Sequence, residues 1–212
     1  MRKIILALCV VMVMAGSAFC ETVKLPDPDK ACDMALTDAL TFRRSNRDFA
    51  SDDLTLQELS NLLWAAGGVN RPDGKLVYPV AMGKQDTAIY VFTREGVSKY
   101  DPKSHSLEII AEGDHRAETG MQPFVAKAAV NLAYVHDASL WEDMKAPEEL
   151  VRRWGFAHTG AVMQNVYLYC AAAGWNCVVR GSFDADNLAK LMKLSPSQSI
   201  TLIHTVGKRP KN

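Results

Sequence analysis

The fold is decided by residues 147–174, which read PEELVRRWGFAHTGAVMQNVYLYCAAAG. A proline and two acidic residues suit the first turn of a helix, and Gly174 suits its end. The C-terminal half of this segment is apolar nearly all round, from Ala157 to Ala173. Such a helix is buried centrally or packs against a partner subunit. The two alternatives are a core helix of a monomer and a helix at the interface of a dimer.

The segments on either side of this helix show both helical and strand patterns. After it, the sequence predicts a strand at 176–179, a helix at 184–191 and a strand at 199–206. Before it, helices are predicted at 29–42 and 55–67, the second with a capping box of Thr55 and Glu58. A loop at 69–86 and short helical pieces at 114–127 connect further strands, predicted at 87–93, 97–100, 107–110 and 128–135. We expect an α+β fold, a mixed, largely antiparallel central sheet wrapped by helices, because GxGxxG is absent and βαβ alternation is weak.

The composition is that of one globular domain. Of 212 residues, 48% are hydrophobic and 23% are charged, and 24 Lys and Arg balance 24 Asp and Glu. A general nucleic-acid binder would need an excess of cations, so any anion site must be local. Residues 1–20 resemble a signal peptide, with a basic start, an apolar stretch and small residues near Ala18. We therefore expect an exported, periplasmic or extracytoplasmic protein with one domain at 21–212; a membrane anchor is the alternative, and a lipoprotein is less favoured.

The cysteines and histidines show no metal or disulfide framework. Cys32, Cys170 and Cys177 remain after loss of residues 1–20, an odd number without a repeated spacing. Cys170 and Cys177 are either two buried thiols or a disulfide. The histidines lack the spacing of metal ligands, so no metal is expected.

The segment Arg43-Arg44-Ser45-Asn46-Arg47-Asp48-Phe49 places three guanidinium groups and a hydroxyl within five residues. Arginine binds phosphate well because its planar fork donates two parallel hydrogen bonds. The alternative is a solvated basic turn. This cluster is the candidate anion site of the sequence.

Four segments together resemble the nitroreductase-like flavoprotein family, and in particular its branch of SagB-type dehydrogenases, which oxidise azolines. The first is R-R-S-x-R-x-F at 43–49, and the others occur in the same order as in that branch. They are Asn70 to Lys75 with Tyr78 to Gly83, then His158 to Asn165, then Gly174-Trp175 with Val179 to Phe183. The resemblance covers roughly residues 38 to 210. It implies an intertwined homodimer with FMN at the subunit interface.

The resemblance also implies roles for individual residues. Arg43 and Ser45 would hold the FMN phosphate and ribityl chain, with Arg44 beside them, and Arg47 would place its charge near N1 of the flavin. That charge would favour the reduced flavin, which is negative there. The remaining implied contacts are the ring face at Pro79, Val80 and Ala81, the ring edge at Gln85, the N5 edge at Val179, Arg180 and Gly181, and the phosphate at Lys208 and Arg209.

The implied activity is ping-pong hydride transfer through bound FMN to or from a small organic substrate, a nitroaromatic, quinone or azoline. The donor would be NAD(P)H or another reductant, and catalysis would be carried by the flavin rather than by a protein nucleophile. Two departures stand out: Val80-Ala81-Met82 replaces Ser-Ala-Gly, and His158 replaces an acid. The first motivates an alternative, an exported flavin-binding protein without turnover. We expect His158 to be a satisfied core residue rather than a pH-dependent group.

Overall fold

The computed structural model of the protein describes residues 21–211. The signal peptide expected at 1–20 lies outside the described residues. Within 21–211, no helix is both long and apolar enough to cross a membrane.

One seven-stranded sheet forms the centre of the molecule. Its strands are β1 (Thr22–Lys24), β2 (Thr87–Phe92), β3 (Gly96–Asp101), β4 (Ser106–Glu112), β5 (Val130–Asp137), β6 (Asn176–Arg180) and β7 (Gln198–Gly207). They lie in the order β1-β4-β3-β2-β5-β7-β6, and every neighbouring pair is antiparallel. The sheet is therefore antiparallel throughout rather than mixed. The reason is that β7 inserts between β5 and β6, so the helical crossover from β5 to β6 joins no adjacent strands.

Within residues 21–211, four α-helices pack around the sheet: α1 (Leu36–Phe42), α2 (Leu56–Gly67), α3 (Glu148–Ala172) and α4 (Ala185–Leu191). Short 3₁₀ helices lie at Ala81–Gly83, Arg116–Thr119, Pro123–Ala126 and Ala138–Met144. The capping box predicted for α2 is confirmed, because Thr55 and Glu58 exchange both side-chain to backbone bonds. The long helix and the α+β class are confirmed as well.

The first helix begins later than predicted, at Leu36 rather than near Asp29. The Asp29 carboxylate accepts a hydrogen bond from the Ala31 backbone N–H at 2.9 Å. The Asp29 N–H in turn donates to the Asn61 side chain. Because such side-chain bonds offer the backbone an alternative to helix, the segment around Asp29 forms a turn instead.

The two faces of the sheet carry two apolar clusters. One face packs against α2 and α3, with Leu132 and Tyr134 of β5 against Val162 and Val166. The other face packs against α4, and its cluster contains Phe92, Ala133, Val135, Leu188, Met192 and Ile203. The alternation along β5 thus assigns successive residues to opposite layers. Cys170 and Cys177 lie in the first layer as buried free thiols, without the alternative disulfide.

Candidate functional site

The arginine-rich segment 43–49 runs along the β6 edge of the sheet. The Asn46 N–H donates to the Cys177 carbonyl at 2.9 Å, and the Ala50 N–H donates to the Lys208 carbonyl at 3.0 Å. Phe49 packs in a small core with Val178, which fixes the end of the segment. The fold therefore brings the first and the last sequence-predicted groups, Arg43 to Arg47 and Lys208, to one edge of the sheet.

Tyr167 of α3 connects this segment to β6. Its hydroxyl lies 2.8 Å from Ser45 Oγ and accepts a hydrogen bond from the Val179 N–H at 3.0 Å. The Arg43 guanidinium lies over the Tyr167 ring, 5.2 Å from its centroid. One buried side chain thus holds together three residues of the predicted site. Sequence reasoning did not single out Tyr167, because a tyrosine within an apolar helix is read as core; its polar end was the available signal.

Arg44 lies apart from its neighbours Arg43 and Ser45. It lines a cavity of about 560 Å³ together with Asn46, Asn176 and Arg209. Because successive side chains of an extended segment point in opposite directions, the arginine cluster is divided between two places. Arg209 shares the cavity with Arg44, so the predicted phosphate ligands do not all converge.

Most cations of the cluster lack an acidic partner. Within residues 21–211, Arg43, Arg44 and Arg47 make no ion pair, whereas Lys208 Nζ lies 2.9 Å from a Glu58 carboxylate oxygen. Burial opposes ionisation of Glu58, but hydrogen bonds from the Thr55 backbone and from Lys208 outweigh it and lower the Glu58 pKa. The unpaired guanidinium groups of Arg43 and Arg47, on the same segment as the Ser45 hydroxyl, suit an anionic ligand.

Arg180, at the end of β6, buries its side chain rather than presenting it to a ligand. The guanidinium donates to the Thr119 carbonyl at 2.7 Å and also to Asn131 and Thr205, all of them neutral acceptors. Burial lowers the Arg180 pKa to about 10. A side chain at Gly120 would collide with this guanidinium, since its Cβ would lie 2.0 Å from Nη1. Gly181, which follows Arg180 in the chain, is exposed, so backbone atoms form the predicted N5 edge.

The predicted ring-face loop is held by α3. The Ala81 N–H donates to His158 Nε2 at 2.8 Å, and His158 Nδ1 lies 2.7 Å from an Asp86 carboxylate oxygen. Pro79 is exposed, while Val80 and Ala81 are half-buried. Gln85 donates its side-chain amide to the Gly74 carbonyl at 3.0 Å, so that amide stabilises the preceding turn. His158 is buried with both ring nitrogens bonded, which confirms the interpretation of a satisfied core residue.

The donor set suits a flavin nucleotide. Unpaired arginines and Ser45 can bind its phosphate, and the exposed backbone at Gly181 lets an aromatic ring approach without a side chain between them. Among residues 21–211, no group of three or more His, Cys, Asp or Glu side chains could hold a metal ion. The arrangement can therefore bind an anion and a planar ring along the same edge.

Comparisons with known proteins agree with this geometry. The Nitroreductase family profile matches residues 40–208. A curated protein of Methanocaldococcus jannaschii, described as a nitroreductase, is 32% identical over 182 residues, which are 81% of this chain and 89% of that protein. A crystal structure from Ralstonia eutropha JMP134, also described as a nitroreductase, is 37% identical with a TM-score of 0.84 and covers 90% of each chain.

A more distant solved structure shares the fold. It is the NADPH:FMN oxidoreductase of Vibrio harveyi complexed with NAD⁺, 18% identical with a TM-score of 0.62, covering 84% of this chain and 70% of that one. The profile spans most of the chain, and members of the family it describes are flavin-dependent oxidoreductases. The chain therefore belongs to the nitroreductase family.

Proposed function

We propose that this protein binds FMN and transfers a hydride through it, by a ping-pong mechanism, to or from a small organic substrate. The observation that carries the proposal is the junction of Arg43, Ser45, Tyr167 and Val179, where an unpaired guanidinium group and two hydroxyl groups bonded to each other meet the edge strand β6. A bound flavin supplies the hydride acceptor and donor. The residues of the chain bind and orient it.

The phosphate end is assigned to Arg43 and Ser45. Arg43 is held over the Tyr167 ring and Ser45 by the Tyr167 hydroxyl, so both are placed before a ligand arrives. Groups fixed in advance lose less conformational entropy on binding. Arg47 carries an unpaired charge on the same segment, and such a charge favours the reduced, more negative flavin. Lys208 stays on the Ala50 side of the segment, paired with Glu58.

We further propose a homodimer with the flavin at the subunit interface. The exposed apolar side chains Leu36, Leu40 and Phe42 on α1, and Phe156 on α3, support this proposal. Exposed apolar residues grouped on packed helices are typical of protein interfaces.

Titration of the purified protein with FMN, followed by the fluorescence of the flavin ring, tests the assignment. We expect saturable binding of one FMN per chain. Arg43→Ala should weaken the affinity by roughly 10- to 100-fold, the usual worth of a hydrogen bond to a charged group. A wild-type protein that takes up no FMN would contradict the proposal.

Arg44→Ala is the matched control, because it removes the same charge from the adjacent position. Arg44 lines the cavity that it shares with Arg209, apart from Arg43 and Ser45. Its replacement should change the affinity by less than about threefold, the effect of an exposed charge. Equal losses for the two variants would contradict the assignment to Arg43, and a larger loss for Arg44→Ala would place the phosphate on the Arg44 side of the segment.

Turnover separates the enzyme from a flavin-binding protein without activity, the alternative favoured by Val80-Ala81-Met82 in the ring-face loop. The flavin-loaded protein is mixed with NADH or NADPH and then with a nitroaromatic or a quinone; an azoline peptide tests the oxidative direction of a SagB-type dehydrogenase. We expect bleaching of the flavin absorbance by a donor and its return with an acceptor. A flavin that stays oxidised with every donor and substrate would favour the binding protein.

A further inference from the structure

His158 of α3 bonds to two residues, Ala81 and Asp86, that lie 77 and 72 positions before it in the sequence. Its Nε2 lies 2.8 Å from the Ala81 backbone nitrogen, and its Nδ1 lies 2.7 Å from Asp86 Oδ1. A backbone N–H can only donate, so Nε2 must be the acceptor. The ring is then neutral, with its single proton on Nδ1, from which it donates to Asp86.

Several hydrogen bonds fix the carboxylate of Asp86. Its carboxylate is buried at the start of β2 and also accepts hydrogen bonds from Trp141 Nε1 at 2.8 Å and Thr87 Oγ1 at 3.2 Å. His136 Nδ1 lies 3.3 Å from its second oxygen. The His158 ring is confined further by the Trp141 ring, which itself stacks on Trp154. The imidazole therefore has one orientation.

The loop that His158 holds has a backbone shape in need of support. Met82 has φ 51°, in the left-handed region that side chains other than glycine rarely adopt, and it is 64% exposed. Both polar backbone groups of Ala81 are engaged, since its carbonyl accepts from the Lys84 N–H at 3.0 Å. An exposed turn with an unfavourable dihedral persists only where neighbouring contacts hold it.

We propose that His158 is a positioning residue, which Asp86 orients so that it fixes the backbone of residues 79–83 at the flavin site. The inference rests on the proposed function for the role of that loop. The hydrogen bond between His158 and the loop is present without a flavin. The Val80-Ala81-Met82 sequence gives the loop no hydroxyl side chain of its own, so its shape depends on the imidazole.

Hydrogen exchange measured by mass spectrometry tests the hold without any flavin. His158→Leu keeps the buried volume and removes the acceptor, whereas His158→Gln offers an amide oxygen to Ala81 and an amide N–H to Asp86. In His158→Leu, we expect amides of peptides covering 79–83 to exchange about tenfold faster, as for the loss of one hydrogen bond. His158→Gln should lie within about threefold of the wild type on the same scale.

A general loss of stability would raise exchange in the β5 peptides too, whereas a positioning role raises it in the loop alone. His105→Leu is the matched control, because that ring also bonds at both nitrogens, to Ser60 Oγ and to the Tyr100 hydroxyl, and neither partner belongs to residues 79–83. It should leave exchange at 79–83 unchanged. Equal exchange of this loop in wild type and His158→Leu would overturn the proposal, as would a Gln variant that behaves like the Leu variant.

FMN-loaded samples provide the second measurement, the visible circular dichroism of the bound ring. We expect the band to change in His158→Leu and to recover in His158→Gln. Faster loop exchange with an unaltered flavin band would overturn the link between the loop and the flavin. A wild type without FMN uptake would defeat the proposed function, and the exchange result would still decide whether His158 holds the loop.

Discussion

At the scale of single residues, Tyr167 helps to hold the arginine segment against β6, together with the Asn46–Cys177 backbone bond. Its hydroxyl accepts from the Val179 N–H and lies against Ser45 Oγ. Tyr167→Phe leaves the Val179 N–H without that acceptor, which should lower the free energy of unfolding by about 1–3 kcal/mol. We also expect FMN to bind about 3- to 10-fold more weakly, since Ser45 loses one fixed neighbour. Urea unfolding and fluorescence titration measure the two effects.

Tyr169→Phe is the control for that variant. Tyr169 lies two residues further along α3, with its ring edge-on to Trp175, and within residues 21–211 its hydroxyl makes no hydrogen bond to Ser45 or Val179. Its replacement should leave FMN affinity unchanged. If both variants bind FMN as tightly as the wild type, the Tyr167 hydroxyl has no part in placing Ser45.

The residues of the site differ in how far the sequence reveals them. Arg43, Ser45 and Arg47 could be proposed because several cations in a short segment are unusual and match a known motif. Their division from Arg44 follows from an extended backbone that only the structure shows. The polar end of Tyr167 marks it only weakly, and its role is not indicated locally, because its hydroxyl bonds join positions 122 and 12 residues apart.

At the scale of elements, the glycines of α3 give a matched pair. A Cβ at Gly155 would lie 2.5 Å from His136 Cγ, whereas a Cβ at Gly160 would meet nothing within 4 Å in a single chain. In Gly155→Ala, the collision with a buried ring should outweigh the gain in helix propensity and destabilise by about 1–3 kcal/mol. Gly160→Ala should stabilise by up to about 1 kcal/mol. Thermal and urea unfolding of both variants checks the order.

The stability of Gly160→Ala also reports on whether another subunit packs against α3. A loss of stability there would show that another surface approaches α3 closely at that point, as in a dimer with helices in contact. Equal effects of the two substitutions would contradict the clash at His136.

Elements with a strong local pattern were predicted, and those fixed by distant partners were not. The apolar period of 147–174 and the capping box of Thr55 and Glu58 are local, and both gave the correct helix. β1 has three residues and exists through its pairing with β4, more than 80 residues away, so no local pattern indicates it. Asp29 lies in a helix-like pattern, but its bond to Asn61 of α2 favours a turn.

At the scale of the whole molecule, the antiparallel arrangement was only partly predictable. Hairpins such as β3–β4 are indicated by their turn residues, since adjacent short strands pair directly. The insertion of β7 between β5 and β6 depends on packing across the entire core, with Ile203 on one face and Val206 on the other. No sequence-local signal specifies that order.

The packing of α1 on α3 leads to the last prediction, which concerns the assembly. α1 contacts α3, yet Leu36 is 65% exposed, Leu40 51% and Phe42 47%. A seven-residue helix that leaves three large apolar side chains in water is poorly stable alone. A second copy of the chain would cover them. We expect the wild type to have twice the mass of one chain by light scattering, and Leu40→Glu to shift it to the monomer.

A charge at the centre of an apolar interface costs several kcal/mol unless it is paired. Leu40→Glu alone should therefore dissociate the dimer at micromolar protein concentration. Val23→Glu is the control, because Val23 is an exposed apolar residue of β1, at the opposite edge of the sheet from β6. It should leave the dimer intact. Because the proposed flavin site lies at the interface, the Leu40→Glu monomer should also bind FMN at least about tenfold more weakly. A dimer that survives Leu40→Glu would place the interface elsewhere, and a monomer with unchanged FMN affinity would place the flavin within one chain.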